Sequence, residues 1–179
     1  IWELFSKKNQ PIINISSTLA GILIVPVLLG TSVDLRQFDS LMDTNITLTL
    51  VLSIWTCDSA AFIFGSYFGT SKIFPRVSPN KSWVGSICGL IGSMSVFLFF
   101  YNYNWLGDIF NLKDALILGF ISGFFGQIGD FAESLLKRDA GLKDSGKILK
   151  GHGGILDRFD SLLFATPLTY LYVQFFINF

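Results

Sequence analysis

Charge is scarce in this 179-residue sequence. Charged residues make up 15% of it, against about 25% in an ordinary soluble domain. The basic and acidic side chains cancel at 13 each, so no polybasic character points to nucleic acid. Cysteine is rare too. Cys57 and Cys88 are too few for a disulfide framework, and both lie inside apolar runs, where a thiol acts as a small apolar filler. What abounds is apolar sequence: 51% of the residues are hydrophobic, and the mean hydropathy is +0.55. The apolar residues gather in five runs of about 20, the length that crosses a bilayer core of about 30 Å. A disordered chain, a secreted disulfide scaffold and a free cytosolic enzyme are thereby excluded. The sequence reads as an all-α, polytopic integral membrane protein, with residues 1–179 forming a single transmembrane domain.

The spans are expected at 12–30, 46–69, 84–101, 114–136 and 155–177. Pro26, Gly65 and Gly69 fall within them, and membrane helices tolerate both residue types. The first run starts after residue 11 and lacks a small-residue cleavage site, so it is not a cleavable signal. The sequence opens at Ile1 instead of Met, which suggests a processed or N-terminally short chain. Lysine and arginine set the orientation. Lys7 and Lys8 precede the first span, Lys72, Arg76 and Lys81 follow the second, and Lys137, Arg138, Lys143, Lys147 and Lys150 follow the fourth. The alternate loops carry only Arg36 and Lys113. Positive charge marks the cytosolic side, so the N-terminus and both basic loops are expected there. Trp83 suits an interfacial anchor, and Phe97–Phe100 is expected to face lipid.

The acids decide the functional class. Glu3, Asp34, Asp39, Asp43, Asp108 and Asp114 fall in tails, loops or span ends, where water can solvate them. Asp58, Asp130, Asp157 and Asp160 lie inside spans or at their edges. An ionisable group there costs about 2.5–3.5 kcal/mol on insertion scales and marks a functional site by default. The expected topology brings all four to the same leaflet from three spans. Asp157 and Asp160 share a helix face at i, i+3, as do Asp130, Glu133 and Lys137 at i, i+3, i+7. Carboxylates at one depth repel unless something positive sits among them. Mg²⁺, held by one or two carboxylates plus substrate phosphates, is one solution; pairing with Lys137, Arg138 and Arg158 is the other.

The segment 127–161 adds phosphate chemistry. Gly151-His-Gly-Gly154 lets backbone N–H groups approach an anion and opens a helix whose N-terminus favours negative charge. Together these features describe a cytosolic-face site for a polyphosphate with Mg²⁺.

At these residues the sequence resembles the phosphatidate cytidylyltransferase family, the CDP-diacylglycerol synthases. The family signature is matched by Ser134, Lys137, Arg138, Lys143, Asp144, Gly146, Gly151, His152, Gly153, Gly154, Asp157, Arg158 and Asp160. Gln127–Ser134, Asp58–Phe62 and Ser78–Gly85 also resemble it, and the resemblance covers about residues 50–165. Three positions depart: Lys150 replaces a usual Pro, Val84 a usual Glu and Phe62 a frequent Tyr. Losing the Pro loosens a turn, because Pro fixes φ, and losing the Glu removes a carboxylate from a substrate loop.

The resemblance implies that CTP and phosphatidic acid give CDP-diacylglycerol and pyrophosphate, at the cytosolic face of a bacterial inner membrane. It implies Mg²⁺, and leaves open a second metal ion, a monovalent cation and a homodimer. By resemblance, Asp130, Asp157 and Asp160 are metal-binding and catalytic, with Asp58 a further ligand; a contact of Asp58 with Ser53 or Ser66 is the alternative. Lys137, also catalytic, neutralises phosphates with Arg138 and Lys143, while Asp144 orients those cations or binds metal. Arg158 holds a phosphate or pairs with Asp160 or Glu133. His152, Gly153 and Gly154 bind phosphate or only shape the turn. Ser78, Asn80, Lys81 and Ser82 touch nucleotide or head group, or merely connect two spans. Three rivals remain: a polyprenyl or ether-lipid acceptor or a CTP-dependent lipid kinase, an ion or proton transporter, and an inactive homologue.

Overall fold

The computed structural model of the chain describes residues 11–142, 145, 146, 154 and 156–177. Five helices carry these residues, with no strand among them: α1 (Pro11–Met42), α2 (Ile46–Phe68), α3 (Trp83–Asn102), α4 (Leu112–Asp139) and α5 (Leu156–Phe176). Helix α2 packs chiefly on α3, α4 on α3 and α5, and α1 on α5. Among the described residues, α2, α3 and α4 are long and apolar enough to cross a membrane, fewer than the five spans expected. In α5, Asp157, Arg158 and Asp160 crowd the first turns and Gln174 sits near the end, which dilutes its apolar character.

Helix α1 runs 12 residues beyond its expected end at residue 30, to Met42. Polar residues interrupt the apolar run, but Leu35, Phe38 and Met42 keep an i, i+3, i+7 face, and the first two are buried. The chain then turns sharply into α2. Asn45 makes no side-chain cap. Asp39 does that work instead, accepting from the backbone N–H groups of Ile46 at 2.8 Å and Thr47 at 3.0 Å, and from the Thr44 hydroxyl at 2.6 Å. Helix α4 opens with a capping box, Asn111 and Asp114 each accepting from the other's backbone N–H. The Tyr172 hydroxyl on α5 donates to Asp114 at 2.7 Å. Asp39 and Asp114 are therefore 3% and 7% exposed, not solvated as the sequence suggested. Each satisfies helix-terminal N–H groups that would otherwise be orphaned.

The apolar core fills this same end of the bundle, around Leu35, Ile46, Leu50, Phe97, Phe100, Leu106, Leu118 and Val173. Phe97 and Phe100 thus point inward, and of the aromatic trio only Phe99 is exposed. Their i, i+3 spacing puts them on one face, which a run read without its partners does not reveal.

Towards the opposite end the helices meet through small residues. Ser53 and Ser122 hydroxyls are 2.5 Å apart, tying α2 to α4, and Ser93 donates to the Gly119 carbonyl at 2.9 Å. A Cβ on Gly85 would lie 2.6 Å from the Ala61 carbonyl oxygen, and one on Gly129 would lie 2.5 Å from that of Asp160. Glycine at these positions lets α3 close on α2 and α5 close on α4. Both cysteines are free thiols.

Candidate active site

Three helices deliver carboxylates to the small-residue end. Helix α4 places Gln127, Asp130, Ser134 and Lys137 along one side at spacings of three and four, and Glu133 beside them. Asp157 and Asp160 stand one turn apart at the start of α5. Asp58 comes from α2. The 69–82 loop between α2 and α3 completes the site with Lys81. Its ends meet, Ile73 N–H donating to the Lys81 carbonyl at 3.2 Å and Trp83 N–H to that of Ser71 at 3.1 Å.

The charges divide into two linked groups. In the first, Lys81 pairs with Asp130, and Asp58, Asp130 and Asp160 lie close enough to repel one another with Lys81 as their shared counter-charge. In the second, the Lys137 ammonium bridges Glu133 at 2.6 Å and Asp157 at 2.7 Å. Asp157 also accepts from Ser145 N–H and hydroxyl, each at 2.9 Å, and from Gly154 N–H at 2.6 Å. Asp160 feels both lysines and joins the groups. Gly154 was expected to offer its N–H to a phosphate; here an internal carboxylate receives it at the helix start, an anion held by the same physics.

Beside the first group lies a cavity of about 430 Å³. Asp58, Lys72, Asn80, Lys81, Ser82, Ser86, Gln127 and Asp130 give it a polar wall, and Phe62, Ile73 and Phe131 an apolar one. Gln127 is held firmly, donating to the Ser86 carbonyl at 3.0 Å and to Cys57 Sγ at 3.4 Å while accepting from the Ser86 hydroxyl.

The structure brings Asp58, Lys81, Ser82 and Asp130 together around the cavity. Ser53 and Ser66 hydroxyls bond to Leu50 and Ile63 carbonyls, so neither is tied to Asp58. Ser82 caps α3 by accepting from Gly85 N–H at 3.2 Å. Ser78 lies apart from the cavity, in a turn closed by its N–H on the Phe74 carbonyl. Arg138 donates to the Val77 carbonyl at 3.3 Å and to that of Leu142 at 3.2 Å, so its guanidinium straps the 69–82 loop to the end of α4. Arg158 is exposed on the first turn of α5. Lys143, Asp144, Lys150, Gly151, His152 and Gly153 lie outside the described residues. Ser86, Lys72 and Phe131 were not singled out by the sequence. A serine within an apolar run is a weaker signal than a carboxylate, and Lys72 read only as a marker of orientation.

Among the described residues, no group of three or more Asp, Glu, His or Cys side chains is placed to hold a metal ion. The donor set nevertheless suits a hard cation. Asp58, Asp130, Glu133, Asp157 and Asp160 outnumber the two lysines among them, and both Asp157 oxygens are already engaged by Lys137, Ser145 and Gly154. Lys81 and Lys137 stand where positive charge is needed.

Comparison with known proteins identifies the family. The model of the cytidylyltransferase family matches residues 1–176. A phosphatidate cytidylyltransferase of Staphylococcus haemolyticus is 48% identical over 120 residues, covering 65% of this chain and 44% of the relative. The Haemophilus influenzae protein of the same name is 40% identical over 135 residues, covering 74% and 46% respectively. That of Staphylococcus aureus strain COL is 46% identical over 120 residues, covering 65% and 44%. The chain thus spans a little under half the length of these relatives. By the match along nearly its whole length, the chain belongs to the cytidylyltransferase family.

Proposed function

We propose that the protein transfers a cytidylyl group from CTP to phosphatidic acid, releasing pyrophosphate and forming CDP-diacylglycerol. The observation that carries this reading is the meeting of Asp58, Asp130 and Asp160 with Lys81 beside a mostly apolar cavity with a polar wall. The names of the relatives point to the same reaction. A phosphate oxygen of the lipid attacks the α-phosphorus of CTP, the new P–O bond forms, and the α–β bridging bond breaks. The lipid phosphate is already anionic, so no strong general base is needed. The requirements are alignment and neutralisation of negative charge as it shifts to the leaving pyrophosphate.

The chain's residues suit those tasks. Lys81 and Lys72 at the cavity wall would bind phosphate oxygens, and Gln127, fixed by Ser86, would keep the wall in register. Lys137 would hold Asp157 and Glu133 in place at the mouth of α5. Phe62, Ile73 and Phe131 would receive the apolar part of the lipid. Lys143, His152 and Gly153 belong to the same proposal through the motif they complete. Mg²⁺ would be held by Asp130 and Asp160 with Asp58 and Asp157, and would neutralise the phosphates. Lys81, Arg138 and the rest of the basic side chains at this end favour a site on the cytosolic face of a bacterial inner membrane.

The test is to incubate the purified protein with labelled CTP, phosphatidic acid and Mg²⁺, with a parallel reaction on a polyprenyl phosphate. Labelled CDP-diacylglycerol in the first reaction is the expected result. Product only in the second would move the reading to another acceptor, and product in neither would contradict the transferase reading.

A further inference from the structure

The main chain at Lys81 is fixed, and its ammonium stands at the end of a long stem. The 69–82 loop is closed on itself at both ends. It is pinned to α4 by Arg138 on the Val77 carbonyl and by Phe74, which meets the Phe131 ring edge-on at 5.2 Å. From this anchored position a flexible four-carbon stem carries a compact point charge. The ammonium pairs with Asp130 and lies 4.2 Å from the centre of the Phe131 ring, and the same side chain lines the cavity with Lys72 and Asn80. Asp130 on one side of the cavity and Lys72 with Asn80 on another thus surround one anchored stem, and passing between them needs no movement of the loop.

A divalent cation at Asp130 and an ammonium at Asp130 compete, because both draw on the same carboxylate and like charges at contact distance repel. We infer that Lys81 is a tethered place-holder, whose ammonium occupies Asp130 until a divalent cation takes that carboxylate and then turns into the cavity to bind phosphate. The inference rests on the cation-dependent reading of the site proposed above. It makes Lys81 a phosphate-binding residue that also couples the two binding events. Cation entry releases a phosphate-binding charge, and a phosphate in the cavity draws the lysine off Asp130. The free protein then binds the cation weakly and the phosphate-loaded protein binds it well.

Mn²⁺ binding to the detergent-purified chain, followed by the electron paramagnetic resonance of the free ion without nucleotide, tests this away from turnover. Lys81→Met should bind Mn²⁺ about tenfold more tightly than the parent, a typical size for coupling between two sites. Lys81→Arg, which keeps a cation on the tether, should bind like the parent, and Asp130→Asn should lose binding. Lys81→Gln serves in place of Lys81→Met if melting shows that variant to be unfolded. Unchanged or weaker binding by Lys81→Met, with binding still lost in Asp130→Asn, overturns the place-holder and leaves the cation site standing. Absence of Mn²⁺ binding in every protein, or binding indifferent to Asp130→Asn, overturns both.

Discussion

At the end of the bundle formed by the α1–α2 and α3–α4 turns, Asp39 and Asp114 are buried and supplied with donors by the chain itself. Asp39 takes two backbone N–H groups and a threonine hydroxyl, and Asp114 takes a backbone N–H and the Tyr172 hydroxyl. At the opposite end, Asp58, Asp130 and Asp160 crowd together beside an open cavity and share Lys81. The side chains are chemically identical, so the difference lies in what surrounds them. A carboxylate whose lone pairs are filled by fixed donors closes a helix end and adds stability. Carboxylates in excess of their cations, facing a cavity, store repulsion that only a ligand relieves, and sites of this kind trade stability for activity.

Exchanging the two kinds of acid should therefore separate two measurable properties. If the chain catalyses the proposed transfer, Asp130→Asn should lower CTP turnover by at least about 10³-fold. Its melting temperature should equal or exceed the parent's, since one member of a repelling set has been neutralised. Gly129→Val probes what brings the helices of the site together. Its side chain would enter the space held by the Asp160 carbonyl, so a loss of about 1–3 kcal/mol in a denaturation series is expected, along with activity. Asp39→Ala leaves the first N–H groups of α2 without their acceptor and should cost about 1–2 kcal/mol. Turnover per folded molecule should stay within about twofold of the parent. Tyr172→Phe removes one donor from Asp114 and should cost about 1 kcal/mol by thermal melting, without affecting turnover.

Much of the bundle was legible because burial in a membrane writes itself as long apolar runs. The helices at 46–68, 83–102 and 112–139 fall close to the spans expected, and the acids of three separate runs do converge. Distance along the chain hid the rest. Whether Asp39 is solvated depends on the turn that brings Thr44 and Ile46 back to it, and no local pattern announces that turn. Phe97 and Phe100 face inward because α2 and α4 cover them, a fact of packing. Arg138 matches a phosphate-binding motif, and two of its five N–H donors go to the Val77 and Leu142 carbonyls. Charge and spacing nominate a site residue; only the neighbours at the end of its side chain decide what it holds.

The central claim is that Asp39 and Asp114 build one end of this bundle, while Asp58, Asp130 and Asp160 serve the reaction proposed for the other. It is tested most directly by measuring melting temperature and CTP turnover on Asp114→Asn and Asp160→Asn side by side. The account predicts that Asp114→Asn melts several degrees lower with near-parental turnover of the folded protein, and that Asp160→Asn melts no lower but turns over poorly. Full turnover in Asp160→Asn, or its loss in a folded Asp114→Asn, would contradict it.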